Sequence, residues 1–421
     1  MEKLEFIAFL IPLLFIMVAV EWTIAHRQNK DYYNISDVVV NLCCGLLERL
    51  FDFFWIIISF FVFTFVHDNF ALFDIPNTAR SFVVLIFTAD LAGYWFHRLS
   101  HEINFMWAAH IVHHQSEELN LTTVFRVSAF AVIFRTPFWA VLPLVGFDPA
   151  AVTIAITIIG FYQMLVHTRL VKNWGVLEAF MVTPSNHRVH HAYNDQYLDT
   201  NYGGIFIIWD RLFGTHAYEE EPPEFGITSG FHSTDPYRAH LFYWAYLFRL
   251  AQKARHWQEK IQVFFAHPRW LPENVPYEEP EYEVDDSGSR VKFKPSIPIN
   301  TAIYVLANAV LTAFLFVYMI GFRETLTDLQ IGLITGGILL SILAHGRVLE
   351  QKAGYLPLEL FRHLVLLGIL PYVLLTHSYI PILGVLALSV WFMMVLRKTH
   401  HQKATVQLQK QPRKEEVKGL P

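Results

Sequence analysis

Eight histidines of this 421-residue chain fall into three short runs: HRLSH with His97 and His101, HIVHH with His110, His113 and His114, and HRVHH with His187, His190 and His191. On a helix, residues four apart share a face, so His97 pairs with His101, His110 with His114 and His187 with His191. Each HxxHH triplet sets one imidazole about a turn from two others. A structural zinc site closes at about four ligands. Eight imidazoles therefore exceed one ion and suit two, and nitrogen-rich ligation favours iron, zinc or copper over calcium or magnesium. Ordinary interface histidines would have no reason to repeat the HxxHH spacing. A zinc site and a metal-transport site stay open as other readings of the same residues, and a non-catalytic scaffold is favoured only if no metal binds.

These residues must be carried by membrane elements. Hydrophobic residues make up 54% of the chain and charged residues 16%, against roughly 25% charged in soluble proteins. The net charge of -5 speaks against a nucleic-acid partner. Cys43 and Cys44 are adjacent in an apolar segment, which excludes a disulfide framework or a CxxC metal site. Apolar segments near the 20 residues a span needs run over 5–22, 39–66, 79–96, 128–146, 149–166, 299–320, 328–345, 358–377 and 380–396. The first is expected to be a retained helix, since acidic residues precede it and no small-residue cleavage site follows. Glu48, Arg49 and Asp52 interrupt the second, which places its first part along the interface. Gly146 to Pro149 joins the fourth and fifth into a tight hairpin, with Pro137 and Pro143 breaking the fourth.

The fold class expected is all-α: a multi-pass integral membrane protein with a histidine-rich di-metal site on the cytosolic side. That side then collects Arg27, Lys30, Arg347, Lys352 and the basic tail from Arg397 to Lys418, while the other receives only Lys3, Arg80 and Arg323. The N-terminus is expected outside and the C-terminus in the cytoplasm. Four parts are expected: a membrane module over 1–267 holding the motifs of 97–191, a Pro-rich charged linker over 268–298, a four-helix membrane bundle over 299–398, and a basic disordered tail over 399–421. His345, His363 and His377 of the bundle are scattered singly and read as structural.

Other polar residues surround the motifs. Asp90 lies seven residues before His97, about two turns away on the same face. A carboxylate in an apolar helix suggests function, here a hydrogen bond that fixes a ligand tautomer. Glu102, beside His101, could act likewise. His167 closes the hairpin at a membrane boundary and is expected as a ninth metal ligand. Asn194, Asp199 and Asn201 follow the last triplet as groups behind the ligands or for a reductant. Gly203-Gly204 permit close backbone approach without forming a dinucleotide fingerprint, and the apolar run Ile205–Trp209 could insert at the membrane surface. Ser185 lies close to His187 but has no GxSxG frame and no ordered acid partner, which speaks against a serine hydrolase.

The three histidine motifs, in this order around a helical hairpin, resemble the fatty acid hydroxylase and sterol desaturase superfamily. The stretches HRLSHEINFMWAAHIVHHQSEELNLTTVFR, GVLEAFMVTPSNHRVHHAYNDQYLDTNYGG and IIWDRLFGTHAYEEE look most like its glyceryl-ether-cleaving branch, over about residues 35–250. Asn186, where the family pattern often has histidine, and Ala192, where it has glycine, depart from it. The resemblance implies a non-haem di-iron monooxygenase held by the eight motif histidines with His167. Its partners would be a membrane lipid, dioxygen and an electron donor: tetrahydrobiopterin, a ferredoxin or a cytochrome-type carrier. The reaction implied is hydroxylation of a lipid C–H bond, with cleavage of an alkylglycerol ether as its sharpest form. Sterol, carotenoid or fatty-acyl hydroxylation or desaturation is the near alternative.

Overall fold

The computed structural model describes residues 2–277, 283–285, 290–295, 297–374, 383–384, 386–391 and 394. The expected tail and part of the last expected span lie outside these residues, as does His377. Thirteen α-helices are described: α1 (Glu2–Arg27), α2 (Ile35–Phe70), α3 (Ala79–Glu102), α4 (Asn104–His114), α5 (Ala131–Val145), α6 (Pro149–Val166), α7 (Pro184–His190), α8 (Ile208–Phe213), α9 (Pro236–Lys253), α10 (Trp257–Phe265), α11 (Ile299–Gly321), α12 (Asp328–Leu349) and α13 (Tyr355–Leu374). Among the described residues there are isolated β-bridges and no strands. Six helices, α2, α3, α6, α11, α12 and α13, are long and apolar enough to cross a membrane, and the chain is a multi-pass helical membrane protein.

The charges at Glu48, Arg49 and Asp52 do not break α2, which runs on for 36 residues, about 54 Å at 1.5 Å per residue. Arg135 of α5 donates to both Asp52 oxygens at 2.8 and 3.1 Å, so the acid is paired inside the fold. The first half of α2 is buried in protein, while Ile57 and Phe61 farther on face outward. The buried half brings Asp37 and Asn41 to the histidine region. Pro137 and Pro143 likewise sit inside α5 without ending it. The α5–α6 turn needs its glycine. Gly146 has φ +121°, and a Cβ there would lie 2.0 Å from the Phe73 carbonyl oxygen. Asp148 then caps α6, accepting from Ala151 N at 2.8 Å, with Pro149 in the first turn.

Two apolar cores fix these helices. Leu85 and Ala89 of α3, Trp139 and Leu142 of α5, and Val152 and Ala155 of α6 form one. The larger joins Val39, Cys43 and Leu47 of α2 and Leu247 of α9 to Val305 and Met319 of α11, Ile338 and Ile342 of α12, and Leu366 and Leu370 of α13. The C-terminal helices thus share a core with the helix that supports the histidine region. Within them lies a buried polar knot. Arg362 donates to Glu359 Oε2 at 2.9 Å and to Asn308 Oδ1 at 2.7 Å, while Tyr304 Oη lies 2.7 Å from His363 Nε2. Removing one partner of a buried ion pair costs about 3–5 kcal/mol, because the other charge stays buried. Arg362→Ala is therefore expected to lower markedly the thermal midpoint of the detergent-solubilised protein, followed by fluorescence size-exclusion chromatography. An unchanged midpoint would show that the pair carries no stability.

Candidate metal centre

Four helices bring nine histidines to one place. His97 and His101 come from α3, His110, His113 and His114 from α4, and His167 caps the C-terminal end of α6. His187 and His190 lie on α7, and His191 is its C-cap. That short helix is set by Pro184 in its first turn and a capping box in which Asn186 Oδ1 accepts from Thr183 N at 3.1 Å. Asn186 thus has a local structural role at the position where the superfamily often carries histidine.

The imidazoles sort into two groups. One holds His97, His101, His110, His114 and His190; the other holds His113, His167, His187 and His191. Within each, one nitrogen per ring lies within 4.8 Å of all the others. The triplets do not each form a group. The first and last histidines of HxxHH stay together, and the middle one crosses to the group built on the other triplet.

Backbone carbonyls orient four of the rings. His97 Nδ1 lies 2.9 Å from Tyr202 O, His190 Nδ1 2.9 Å from Thr200 O, His113 Nδ1 3.1 Å from Arg126 O and His167 Nδ1 2.7 Å from Gln163 O. A carbonyl can only accept, so these Nδ1 atoms carry the proton and leave each Nε2 with a lone pair. Arg126 is held in turn by Asp37 at 3.0 Å and Asn41 at 3.1 Å. The Nε2 atoms converge: His97 to His110 3.1 Å, His110 to His114 3.2 Å, His113 to His167 3.2 Å, His167 to His187 2.9 Å and His187 to His191 3.1 Å.

Nitrogens bound about 2.0–2.1 Å from one ion stand roughly 3.0 Å apart at a right angle. The observed spacings fit that edge. Burial, and then mutual repulsion among neighbouring imidazoles, holds His110, His114, His187 and His191 well below the usual histidine range. Burial takes His167 down to about 4. The rings are neutral, as metal ligands must be. His101 Nε2 and His190 Nε2 are buried without a hydrogen-bond partner among the described residues, which costs about 1–3 kcal/mol per group if nothing meets them. A cation between the rings would satisfy both. The residues present fit a metal in each group.

The polar residues expected behind the ligands have varied positions. Asp90 does not meet an imidazole in the described bonding. Its carboxylate accepts from Ile205 N at 2.7 Å, Phe206 N at 3.0 Å and Trp209 Nε1 at 3.0 Å. Glu102 accepts from Arg98 at 2.8 Å on its own helix. Asn194 is paired with Pro222 O and Glu224 N, away from the rings. Asn201, at φ 57°, ties its loop to Asn186 O at 3.1 Å and Ala217 O at 2.9 Å. Asp199, at φ 61°, lies nearest the ligands, its Oδ1 3.9 Å from His101 Nδ1, and Arg269 approaches its Oδ2 at 3.4 Å.

Two residues that sequence reasoning passed over matter more. Asp210 accepts from Tyr202 N at 2.7 Å and Gly203 N at 2.8 Å, and so fixes the carbonyl that orients His97. Gln163 donates to Gly203 O and Gly204 O. Their signals were an acid within the apolar run Ile205–Phe213 and a lone amide one turn before His167. The loop approaches so closely that a Cβ on Gly204 would stand 2.3 Å from Asp90 Oδ1. Gly204→Ala is expected to destabilise the fold by about 1–3 kcal/mol, read as a lower thermal midpoint. Wild-type stability in that variant would contradict the contact.

A multi-pass helical membrane protein whose helix ends converge nine histidines into two groups defines a class. Residues 82–215 match the fatty acid hydroxylase family model. The chain is 30% identical to the alkylglycerol monooxygenase of Homo sapiens over 364 residues, 85% of this chain and 80% of that protein. It is 29% identical to the enzyme of that name from Danio rerio over 355 residues, 84% of this chain and 79% of the relative. A shorter match of 144 residues, 31% identical, joins it to the ornithine lipid hydroxylase OlsE of Rhizobium tropici, covering 33% of this chain and 43% of that protein. No solved structure matches significantly. The chain belongs to the alkylglycerol monooxygenase family.

Proposed function

We propose that this protein is a lipid monooxygenase that cleaves the ether bond of alkylglycerol-type lipids at a di-iron centre. The observation that carries the reading is the pair of converging, neutral imidazole groups in a chain whose likeness to alkylglycerol monooxygenases spans 84–85% of its length. The likeness to the ornithine lipid hydroxylase is confined to 33% of the chain, so the ether-lipid reading is favoured over other lipid hydroxylations. Two irons, when bound, would supply dioxygen activation and oxidation of a C–H bond.

The nine histidines would hold them, five and four. The carbonyls of Tyr202, Thr200, Arg126 and Gln163 aim the ring nitrogens, and burial of the groups keeps bulk water away. One turnover consumes the lipid, dioxygen, two electrons and two protons, and yields the hydroxylated lipid and water. Hydroxylation beside the ether oxygen gives a hemiacetal, which collapses to an aldehyde and glycerol or its derivative. The electrons come from an external donor, tetrahydrobiopterin or a ferredoxin- or cytochrome-type carrier. The basic residues Arg27 and Arg347 in the last turns of α1 and α12, and Lys30 and Lys352 just beyond those helices, gather on the side of the histidine motifs, which supports a cytoplasmic centre. The N-terminus is then outside and the C-terminus cytoplasmic. In this reading residues 1–267 form the catalytic module, 268–298 a linker, 299–398 the membrane bundle and 399–421 the tail.

The test is product analysis. Protein from iron-supplemented cells, given a 1-O-alkylglycerol, dioxygen and each reductant in turn, is expected to release the long-chain aldehyde. Loss of a partner behind a metal ligand costs about 10–100-fold. Loss of the ligand in His113→Ala is expected to cost at least 100-fold while the protein remains folded in membranes. Full turnover by that variant would overturn the site, and hydroxylated acyl chains without aldehyde would favour the alternative reaction.

A further inference from the structure

Residues 174–182 and 205–213 form one paired unit outside the spanning helices. Val182 N donates to Ile205 O at 2.8 Å, Ile207 N to Phe180 O at 3.1 Å and Arg211 Nη2 to Glu178 O at 3.2 Å. The unit is clamped on α3 well before that helix ends. Phe206 stacks on Phe87 with centroids 4.3 Å apart, and Asp90 takes its backbone N–H groups. Phe87 and Asp90 precede His97 by ten and seven residues, so they lie about 15 and 10 Å deeper along the span at 1.5 Å per residue. Non-helical backbone at that depth requires its polar groups to be met by protein. Spanning helices supply the partners: Asp90 from α3 for the N–H groups, and Gln163 and Tyr162 from α6 for the carbonyls of Gly203, Gly204 and Val182.

The outward face of the unit is apolar and uncovered. Val176 is 79% exposed, Leu177 45%, Phe180 60% and Leu212 69%. This face continues the outward apolar surface of α3 at Val83, Val84 and Phe87. Arg211 on the unit and Lys172 two residues before it stand exposed, the charge that fits a headgroup layer.

We infer that this unit is a re-entrant collar seated in the lipid leaflet on the histidine side, with Val176, Leu177, Phe180 and Leu212 among the acyl chains. The occupant is the leaflet itself, argued from the continuity with the span and from the backbone groups met at depth. Tyr202, whose carbonyl orients His97, stands three residues before the collar's second segment, so the leaflet lies next to the loop that shapes the centre. The inference rests on the spanning helices and not on the catalytic reading.

The test uses the full chain in phosphatidylcholine vesicles. Val176→Cys and Leu212→Cys are labelled with an environment-sensitive fluorophore; Cys43 and Cys44 are fully buried and stay unlabelled. Ile57→Cys in the outward half of α2 and Glu220→Cys on the polar surface serve as lipid and water references. The expected result is quenching at 176 and 212 by lipid-borne nitroxide, with at least threefold protection from aqueous iodide relative to 220. Iodide quenching equal to that at 220 would overturn the inference. Shielding from both quenchers would also overturn it, and would point to a second copy of the chain covering the face. Neither readout depends on metal or turnover, so a failed collar and a failed enzyme reading are distinguishable.

Discussion

The structure depends on a rotation of about 100° per residue around a helix. Adjacent histidines such as His113 and His114, or His190 and His191, point too far apart to meet one ion. Residues four apart differ by only about 40° and can. An HxxHH triplet on a helix must therefore serve two groups, and the structure places its members so. His110 and His114 face His97 and His101, while His113 turns to His187 and His191; His190 returns the exchange. Two helices, each giving two rings to one group and one to the other, close a pair of sites that neither could form alone. α3 and the end of α6 then complete them.

That convergence needs firm support, because neutral imidazoles with facing lone pairs do not attract one another. The support is mostly backbone. Carbonyls of Arg126, Gln163, Thr200 and Tyr202 each hold one ring, and buried polar side chains hold those carbonyls in place. Arg126 is braced from α2 by Asp37 and Asn41, and Tyr202 is braced by Asp210. The buried first half of α2 links this bracing to the C-terminal helices through one apolar core.

Much of this was legible in the sequence and some was not, for physical reasons. The helical class and most spans follow from apolar runs, and eight of the nine rings follow from spacing. His167 had no local pattern, since its partners come from other helices. The crossing of the triplets was implicit in the spacing, yet only the facing of α4 and α7 makes it visible. Asp90 stood out as an acid in a span, but its partners, the N–H groups of Ile205 and Phe206, are more than a hundred residues away. Carbonyl partners carry no side-chain signature at all. The charges at 48–52 looked like an interruption because Arg135, which neutralises Asp52, sits on another helix. The Glu359–Arg362 pair did leave a signal, opposite charges three apart in an apolar helix.

The most direct test is iron per chain, by elemental analysis, on folded protein from iron-supplemented cells. The wild type is expected to hold about two irons, since each of its two imidazole groups offers at least the four ligands at which a site closes. Replacing His101, His114 and His190 with alanine removes three members of one group while touching all three sequence motifs, and is expected to leave about one iron. Replacing His113, His167 and His187 is expected to leave the other. Retention of two irons by either triple variant, or absence of metal from the folded wild type, would contradict the account.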